Sequence, residues 1–363
     1  MITSAHIQIL RWQSVSRRSA SLITIVSLFL LALPIAARPP ADAAPAGYSK
    51  RPEVRAFVGE MAAEHGFDRK ALLRAFGEAR YRGEIVAAMD RPLRDPPKWY
   101  EYARPLLSTA RVDGGVAYWN AHAEELARTE DRYGVPPEII VAILGIETIY
   151  GQNTGKVRTL DALATLAFDY PRRSAFFRGE LKQFLLLSRE LGVSPLAPKG
   201  SFAGALGVPQ FMPGSYRSYA VDADGTGRAD LWNSAADIAG SVANYLVRHD
   251  WQRGAPALVP ASIADSARDQ VLRKLDGGLS ERRSFDAWLA DGVSPVDASG
   301  APFSDPVGLL MLEESNDGFD GASYWIALNN FYVITRYNRS RLYAAAVCEL
   351  AKAIRAARGA TAR

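Results

Sequence analysis

The sequence predicts a mainly α-helical protein with a small β-containing unit towards its C-terminal end, an α+β arrangement. Apolar residues recur at spacings of three and four in several stretches between residues 52 and 250, which is typical of amphipathic helices. One run, IIVAILGI, has no polar face and predicts a helix that is buried on all sides. Residues 254–322 are instead rich in Pro, Gly and Ser and contain short apolar runs at 257–259 and 307–312, which favour strands.

Length and charge limit the classes of protein to consider. A chain of 363 residues is long enough for two or three packed units. The formal charge is +4, but residues 1–43 contribute four arginines and one aspartate, so the remainder carries only +1. That balance supplies no basic face for nucleic acid. The four histidines are scattered without the spacing of a zinc site, which disfavours a metallohydrolase.

The N-terminal segment is predicted to direct export. Arg11, Arg17 and Arg18 precede an uncharged run at 22–37, and small residues follow it up to position 43. This pattern is typical of a signal peptide. We therefore expect a periplasmic protein in which residues 1–43 are a cleaved signal or an uncleaved anchor. Residues 44–52, within a Pro- and Ala-rich stretch, are predicted to be a linker outside any fold.

Cysteine usage excludes two kinds of covalent attachment. The sole cysteine is Cys348, which lies in the C-terminal helical pattern. No intramolecular disulfide can therefore form. Since no cysteine directly follows the apolar run at 22–37, we expect that the protein is not a lipoprotein.

The buried helix predicted around IIVAILGI ends in a single carboxylate. Pro137 suits its first turn, and Glu138 complements the positive end of the helix dipole. Glu147 follows the apolar run and precedes a polar, glycine-bearing loop. Burial beside apolar residues should raise the pKa of this carboxyl, as in a general acid that works near neutral pH. Capping of the helix surface or pairing with an arginine is the structural alternative.

Two further segments contain candidate binding residues. Arg172 and Arg173 stand together at a helix start, where they either bind an anionic or carbonyl-rich ligand or are solvated and paired with an acid. The stretch 200–216 holds four glycines, two alanines and two prolines, as expected of a backbone held close to another group. Its candidate binding residues are Ser201, Gln210 and Met212, whose side chains are expected to point outward.

An acidic segment follows that is similar to a calcium-binding loop. Its candidate ligand residues are Asp222, Asp224, Thr226, Arg228 and Asp237. The alternation and the glycine at the sixth position match the calcium pattern. Threonine at the fifth position and asparagine at the twelfth depart from it, and Asp237 is a replacement for the closing carboxylate. A structural calcium site and a metal-free Asp/Gly turn both fit these residues.

The C-terminal part combines two kinds of pattern. Residues 329–338 are rich in aromatic and β-branched residues and are predicted to be strand-like. Apolar residues at 343, 347, 350 and 354 then predict a closing helix. The predicted units are an N-terminal helical domain at 53–127, a core formed by 128–253 with 323–345, a β-containing domain at 254–322 and a C-terminal helix at 346–363.

Six segments, in this order, resemble the membrane-bound lytic transglycosylase B family of bacterial cell-wall enzymes. They are VPPEIIVAILGIETIYG, LDALATLAFDYPRRSAFF, GSFAGALGVPQFMPGSY, the Asp222 loop with DLW, SVANYL and NFYVITRYNRSRLYAAAV. They span roughly residues 128–250 and 325–350. Residues 50–127 match less sharply, and 254–320 hardly match.

The resemblance implies a lysozyme-like helical core and a specific reaction. The reaction is non-hydrolytic cleavage of the β-1,4 bond between N-acetylmuramic acid (MurNAc) and N-acetylglucosamine (GlcNAc) in peptidoglycan, which leaves 1,6-anhydroMurNAc ends. Glu147 occupies the position of the single catalytic acid and base. Positions that line the glycan groove fall on Ser201, Gln210, Tyr245, Tyr337, Asn338 and Tyr343. Arg172 and Arg173 would face the peptide stem or the lactyl carboxylate.

The resemblance also sets expectations about cofactors and partners. No cofactor is expected for the chemistry. Asp222, Asp224, Thr226 and Asp237 match the family's calcium loop, which makes a structural Ca²⁺ possible, and Thr226 is the departure from that loop. Peptidoglycan glycan strands are the expected partner, and other cell-wall enzymes are possible further partners. Two alternatives remain open at this point: lysozyme-like hydrolysis of the same bond, and a non-catalytic protein that binds peptidoglycan.

Overall fold

The structure, a computed structural model, describes residues 47–90, 97–296, 306–315 and 321–361. The predicted targeting segment 1–43 lies outside this part of the chain.

The helices are α1 Pro52–His65, α2 Arg69–Glu78, α3 Gly83–Met89, α4 Trp99–Leu106, α5 Thr109–Ala121, α6 Ala123–Tyr133, α7 Pro137–Thr148, α8 Thr159–Phe168, α9 Ser174–Glu190, α10 Pro213–Tyr219, α11 Ala235–Val247, α12 Arg268–Leu272, α13 Phe285–Ala290, α14 Asn329–Tyr337 and α15 Arg341–Thr361. The strands are β1 Val157–Arg158, β2 Lys199–Gly200, β3 Leu258–Ile263, β4 Leu275–Asp276, β5 Leu279–Ser280, β6 Val293–Pro295, β7 Gly308–Glu313 and β8 Ala322–Ala327. None of the helices within the described ranges combines the length and apolar character needed to cross a membrane.

Helix α7 forms the centre of the helical core. It begins at Pro137, has Glu138 in its first turn, and is buried without interruption from Pro137 to Ile146. Helices α5, α6, α11 and α15 pack around it, so each face of the apolar run has an apolar neighbour. The predicted buried helix is therefore confirmed, and its only acidic group near the C-terminal end is Glu147.

The segment just before α1 is packed against the core, which differs from the predicted linker. Tyr48 is buried, and its hydroxyl donates to Asp169 Oδ2 at 2.7 Å. Arg51 Nη1 donates to Asp169 Oδ1 at 2.8 Å. A flexible linker is therefore the wrong description of residues 48–52, because a buried ring and an ion pair attach them to the end of α8.

The β-containing unit is a six-stranded antiparallel sheet with the order β4-β5-β7-β8-β3-β6. In the central strands Leu310 pairs with Trp325, and Ala261 pairs with Tyr324. Strands β3 and β7 confirm the strands predicted at 257–259 and 307–312, with small shifts in their ends. One face of the sheet has its own buried cluster around Trp288. Because β8 belongs to this sheet, residues 322–327 lie in the β unit and not in the helical core.

The strand predicted at 329–338 is wrong, since Asn329–Tyr337 forms α14. Aromatic and β-branched residues favour strands by propensity, but burial overrides this preference. Phe331 and Ile334, three residues apart, are both fully buried on one helix face. The Asn330 amide donates to the carbonyl oxygens of Gln252 and Ala255. The predicted boundary at 345/346 likewise falls inside the continuous helix α15.

Candidate active site

Glu147 lies on the last turn of α7 and is half-buried. The Tyr343 hydroxyl, from the first turn of α15, donates a hydrogen bond of 2.7 Å to Glu147 Oε1. Burial raises the pKa of Glu147 to about 7, and the hydrogen bond from Tyr343 lowers it by a smaller amount. The predicted rise in pKa is therefore confirmed. With a pKa near neutrality, this carboxyl can either donate or accept a proton.

Tyrosine side chains from three helices interact with Glu147, Tyr343 through a hydrogen bond and Tyr337 and Tyr102 through its charge. Tyr343 is fully buried beside it. Burial raises the pKa of Tyr337, on α14, and the charge of Glu147 raises it further. The same two causes raise the pKa of Tyr102, on α4. Tyr102 is not among the binding residues predicted from the sequence, although its segment, WYEY, is rich in aromatic residues. The ring of Tyr245 packs against that of Tyr337 at 5.0 Å between centroids.

The glycine-rich stretch 200–212 forms a loop beside the end of α7. Thr148, next to Glu147, donates to the carbonyl oxygen of Val208 at 2.9 Å. The Tyr337 hydroxyl donates to Pro209 O at 2.6 Å. Gln210 Nε2 donates to Thr154 O at 3.1 Å. This loop is thus hydrogen-bonded to the α7 terminus, to the segment that follows it and to α14.

The close approach predicted from the glycine content is confirmed. A Cβ atom on Gly200 would lie 2.0 Å from the carbonyl oxygen of Ala205, and one on Gly155 would lie 2.0 Å from Gly200 O. Only glycine fits at these two positions. The backbone of the loop can therefore fold tightly against the segment that follows Glu147.

The other predicted residues of the groove have local roles in this structure. Ser201 Oγ accepts the amide of Ala205 at 3.0 Å. Met212 is half-buried against the core at the start of α10. Tyr245 donates to Arg336 O at 2.7 Å, and Asn338 is buried directly after α14. None of these four has a hydrogen bond to Glu147 among the described residues.

Arg172 and Arg173 have no described contact with Glu147. Arg172 is 75% exposed, and its guanidinium lies 3.8 Å from Asp90 Oδ1. The guanidinium of Arg173 lies over the rings of Phe176 and Phe177, at 4.6 and 5.1 Å from their centroids. The contacts of these two arginines are thus with Asp90 and with the rings of Phe176 and Phe177.

Two carboxylates of the matching sequence segments, Asp161 and Asp169, form ion pairs with arginines. Asp161 is fully buried and accepts from Arg82 Nη2 at 3.0 Å and from Arg158 Nε at 2.8 Å. Asp169 accepts from Tyr48 and Arg51, as described above. Neither contributes to the pKa of Glu147, which depends on burial and Tyr343. Within the described residues no carboxylate is hydrogen-bonded to Glu147, whose side-chain partner is Tyr343.

The acidic loop 222–237 brings its predicted oxygen ligands together. Carboxylate oxygens of Asp222, Asp224 and Asp237 all lie within 4.8 Å of one another, a separation that fits oxygen ligands around one Ca²⁺. Both oxygens of the buried Asp237 accept backbone amides, from Ala223 at 2.7 Å and from Asp230 at 2.7 Å. These bonds hold the loop against the start of α11 and bring Asp237 next to Asp222 and Asp224.

Thr226 and Arg228 complete the candidate metal set. The Thr226 hydroxyl donates to the carbonyl oxygen of Arg228 at 3.3 Å. Both oxygens belong to types that Ca²⁺ binds. The set of oxygen ligands therefore fits a calcium ion, with a threonine oxygen in place of the carboxylate that is usual at the fifth position of the loop.

Comparison with known proteins identifies the family. Residues 49–352 match the model of the transglycosylase SLT domain. The chain is 40% identical over 320 residues to membrane-bound lytic murein transglycosylase B of Escherichia coli (strain K12), covering 86% of this chain and 85% of that protein. Soluble lytic transglycosylase SltB1 from Pseudomonas aeruginosa is 45% identical, with a TM-score of 0.78 over 85% of this chain and all (100%) of that one. Lytic transglycosylase Slt35 of Escherichia coli, solved in complex with calcium, is 41% identical, with a TM-score of 0.76 over 85% of this chain and 94% of that one. The protein belongs to the transglycosylase SLT domain family.

Proposed function

We propose that this protein is a peptidoglycan lytic transglycosylase that cleaves the β-1,4 bond between MurNAc and GlcNAc without consuming water. Its product is a 1,6-anhydroMurNAc end. Family membership supports the enzyme class. The observation that carries the mechanism is the half-buried Glu147, whose pKa is raised to about 7 and whose only described side-chain partner is Tyr343.

Glu147 acts first as a general acid. Its protonated carboxyl donates a proton to the glycosidic oxygen while the bond between that oxygen and C1 of MurNAc breaks. The leaving GlcNAc departs with a free hydroxyl, and positive charge develops at C1, where the acetamido group of the substrate can stabilise it. The Tyr343 hydroxyl, 2.7 Å from Oε1, stabilises the carboxylate that remains.

Glu147 then acts as a general base. Its carboxylate removes the proton from the C6 hydroxyl of MurNAc while O6 bonds to C1, which closes the anhydro ring and returns the proton to the enzyme. A two-carboxylate glycosidase needs a second acid about 5–9.5 Å from the first. Asp161 and Asp169 are engaged by arginines, so a substrate that supplies its own nucleophile fits the residues present.

The substrate would lie along the tyrosine-lined side of Glu147. The residues proposed to line the glycan groove are Ser201, Gln210, Met212, Tyr245, Tyr337, Asn338 and Tyr343, together with Tyr102. Arg172 is exposed enough to turn towards a carboxylate of the peptide stem or the lactyl group, and Arg173 is proposed to assist it. Asp222, Asp224, Thr226, Arg228 and Asp237 would hold a structural Ca²⁺, which would stabilise the loop before α11. We further propose that residues 1–43 direct export to the periplasm.

Glu147→Gln tests the function on purified sacculi. We expect the variant to lose turnover while it still binds peptidoglycan, because glutamine keeps the shape and the hydrogen bond but has no acidic proton. Glu180→Gln is the matched control, since Glu180 is also a half-buried glutamate with a raised pKa but receives its hydrogen bond from Gly214.

Mass spectrometry of the digest identifies the reaction. Anhydro ends are lighter than hydrolysed ends by one water, so they distinguish a transglycosylase from a lysozyme-like hydrolase. Reducing ends from the wild-type protein would contradict the proposed reaction. Lysis by Glu147→Gln at a rate similar to that of Glu180→Gln would contradict the role of Glu147. No digestion by the wild-type protein would indicate a non-catalytic peptidoglycan-binding protein.

A further inference from the structure

Helix α7 ends in a strained turn directly after Glu147. Ile149 and Tyr150 adopt left-handed backbone conformations, with φ of 52° and 57°. For a β-branched residue such as isoleucine this conformation is an outlier, and a residue held in it is strained. The amides of Ile149 and Tyr150 bond back to Gly145 O and Leu144 O, both at 3.2 Å. Such a turn persists only where its surroundings hold it in place.

The ring of Tyr150 occupies a slot formed by glycines of α5 and α7. A Cβ atom on Gly114 would lie 2.9 Å from Tyr150 Cε2, one on Gly115 would lie 2.8 Å from Tyr150 Oη, and one on Gly145 would lie 2.6 Å from Oη. Any larger residue would displace the ring. Inside the slot, the Tyr150 hydroxyl donates to Arg111 O at 2.6 Å.

Further contacts join the same two helices around this slot. The guanidinium of Arg111, on α5, donates to Gly145 O on α7. On its outer side, the ring of Tyr150 stacks on that of Tyr118 at 5.8 Å between centroids. Tyr150 is therefore held by α5 at its hydroxyl, at its ring face and at its edge. Neither Tyr150 nor the slot has a described contact with the tyrosines that surround Glu147.

We propose that Tyr150 is a positioning residue for Glu147: wedged in the slot of Gly114, Gly115 and Gly145, it holds the strained turn that ends α7 and so fixes the direction of the Glu147 carboxyl. Because Glu147 is the acid only under the proposed function, this role of Tyr150 rests on that function. The Glu147 side chain has one described hydrogen bond, from Tyr343, so its direction otherwise depends on the backbone. Release of Tyr150 would let the last turn of α7 relax and admit water to the carboxyl.

Gly114→Ala is the sharpest test because its new methyl group would contact Tyr150 alone. The change replaces a glycine inside a helix with alanine, which by itself favours folding. We expect kcat on soluble glycan strands to fall by about tenfold with KM little changed, since misplacement of a catalytic group lowers the rate more than binding. The alkaline limb of the pH–rate profile should move to lower pH, because a better-solvated Glu147 has a pKa closer to 4.5. Gly179→Ala, in α9, is the control, since its Cβ would meet nothing within 4 Å.

Tyrosine replacements complete the experiment. Tyr150→Phe keeps the ring in the slot and should retain activity within a few-fold, whereas Tyr150→Ala should lose about 100-fold in kcat. Adding Gly114→Ala to Tyr150→Ala should have no further effect, because the methyl group acts only through the missing ring. If Tyr150→Ala does not fold, Gly114→Ala and Tyr150→Phe still decide the question.

Separate outcomes overturn the positioning role and the proposed function. A folded Gly114→Ala with wild-type kcat and an unmoved alkaline limb would refute the role of Tyr150, while the wild-type protein still produced anhydro ends. A wild-type protein that produced no anhydro ends would refute the proposed function regardless of Tyr150. Equal losses of kcat in Gly114→Ala and Gly179→Ala would show a general effect of the substitution and also refute the positioning role.

Discussion

Ionisation of Glu147 should destabilise the folded protein, and Glu147→Gln should remove this effect. In the folded protein burial raises the pKa of Glu147 from 4.5 to about 7. Between these values the folded state binds more protons than the unfolded state, so the free energy of unfolding falls as pH rises. Below pH 4.5 the carboxyl is protonated in both states, and above pH 7 the full destabilisation is present.

The magnitude follows from the difference between the two pKa values. At about 1.4 kcal/mol per pKa unit, a rise from 4.5 to about 7 corresponds to about 3 kcal/mol. Glutamine has no charge to desolvate and still accepts the hydrogen bond from Tyr343. We therefore expect the stability of Glu147→Gln relative to wild type to increase by up to about 3 kcal/mol between pH 4.5 and pH 8.

Urea unfolding at several pH values between 4.5 and 8 measures this difference. Glu124→Gln, at an 86% exposed side chain of α6, is the control and should change the free energy of unfolding by less than about 0.5 kcal/mol at each pH. A stability difference between Glu147→Gln and wild type that stays constant across this range would refute the reasoning. It would mean that Glu147 is solvated in the folded protein and is not held as a proton donor.

Two further perturbations test the hydrogen bond to Glu147 and the acidic loop. Tyr343→Phe removes a hydrogen bond that lowers the pKa of Glu147. Since a hydrogen bond to a charged group contributes about 1.5–3 kcal/mol, the alkaline limb of the pH–rate profile should move up by about one to two pH units. A shift of this limb to lower pH would contradict the geometry. Added Ca²⁺ should raise the melting temperature of the wild-type protein, and a chelator should reverse the rise. In Asp237→Asn the rise should be lost, because the closing carboxylate is gone; an equal rise in both proteins, measured by calorimetry, would place the ion elsewhere.

Much of the helical core could be predicted from local patterns. The apolar run from Ile139 to Ile146 allows no solvent-facing side, so a buried helix follows from composition alone. The raised pKa of Glu147 follows from its place at the end of that run. Residues 329–337 show the limit of such patterns, because their intrinsic preference is for strands and the burial of Phe331 and Ile334 against the core decides otherwise.

The surroundings of Glu147 could be predicted only in part. Family motifs pointed to Tyr337 and Tyr343, which the structure brings to Glu147. Tyr102 comes from a helix 45 positions earlier in the chain, and no local spacing relates it to Glu147. The place of Asp237 in the acidic loop was easier to predict from the sequence, since Asp237 lies only a short way along the chain from Asp222.

The sequence by itself determined that one carboxylate stands at the end of a wholly apolar helix, because periodicity and composition are local properties of the chain. Only the tertiary structure decided which groups act on that carboxylate and on the helix end that bears it: the hydroxyl of Tyr343 donates to Glu147, Tyr102 feels its charge, and the glycine slot holds Tyr150. These contacts join residues of separate helices. They depend on how side chains of different volume fit together across the core, and a linear pattern does not encode that fit.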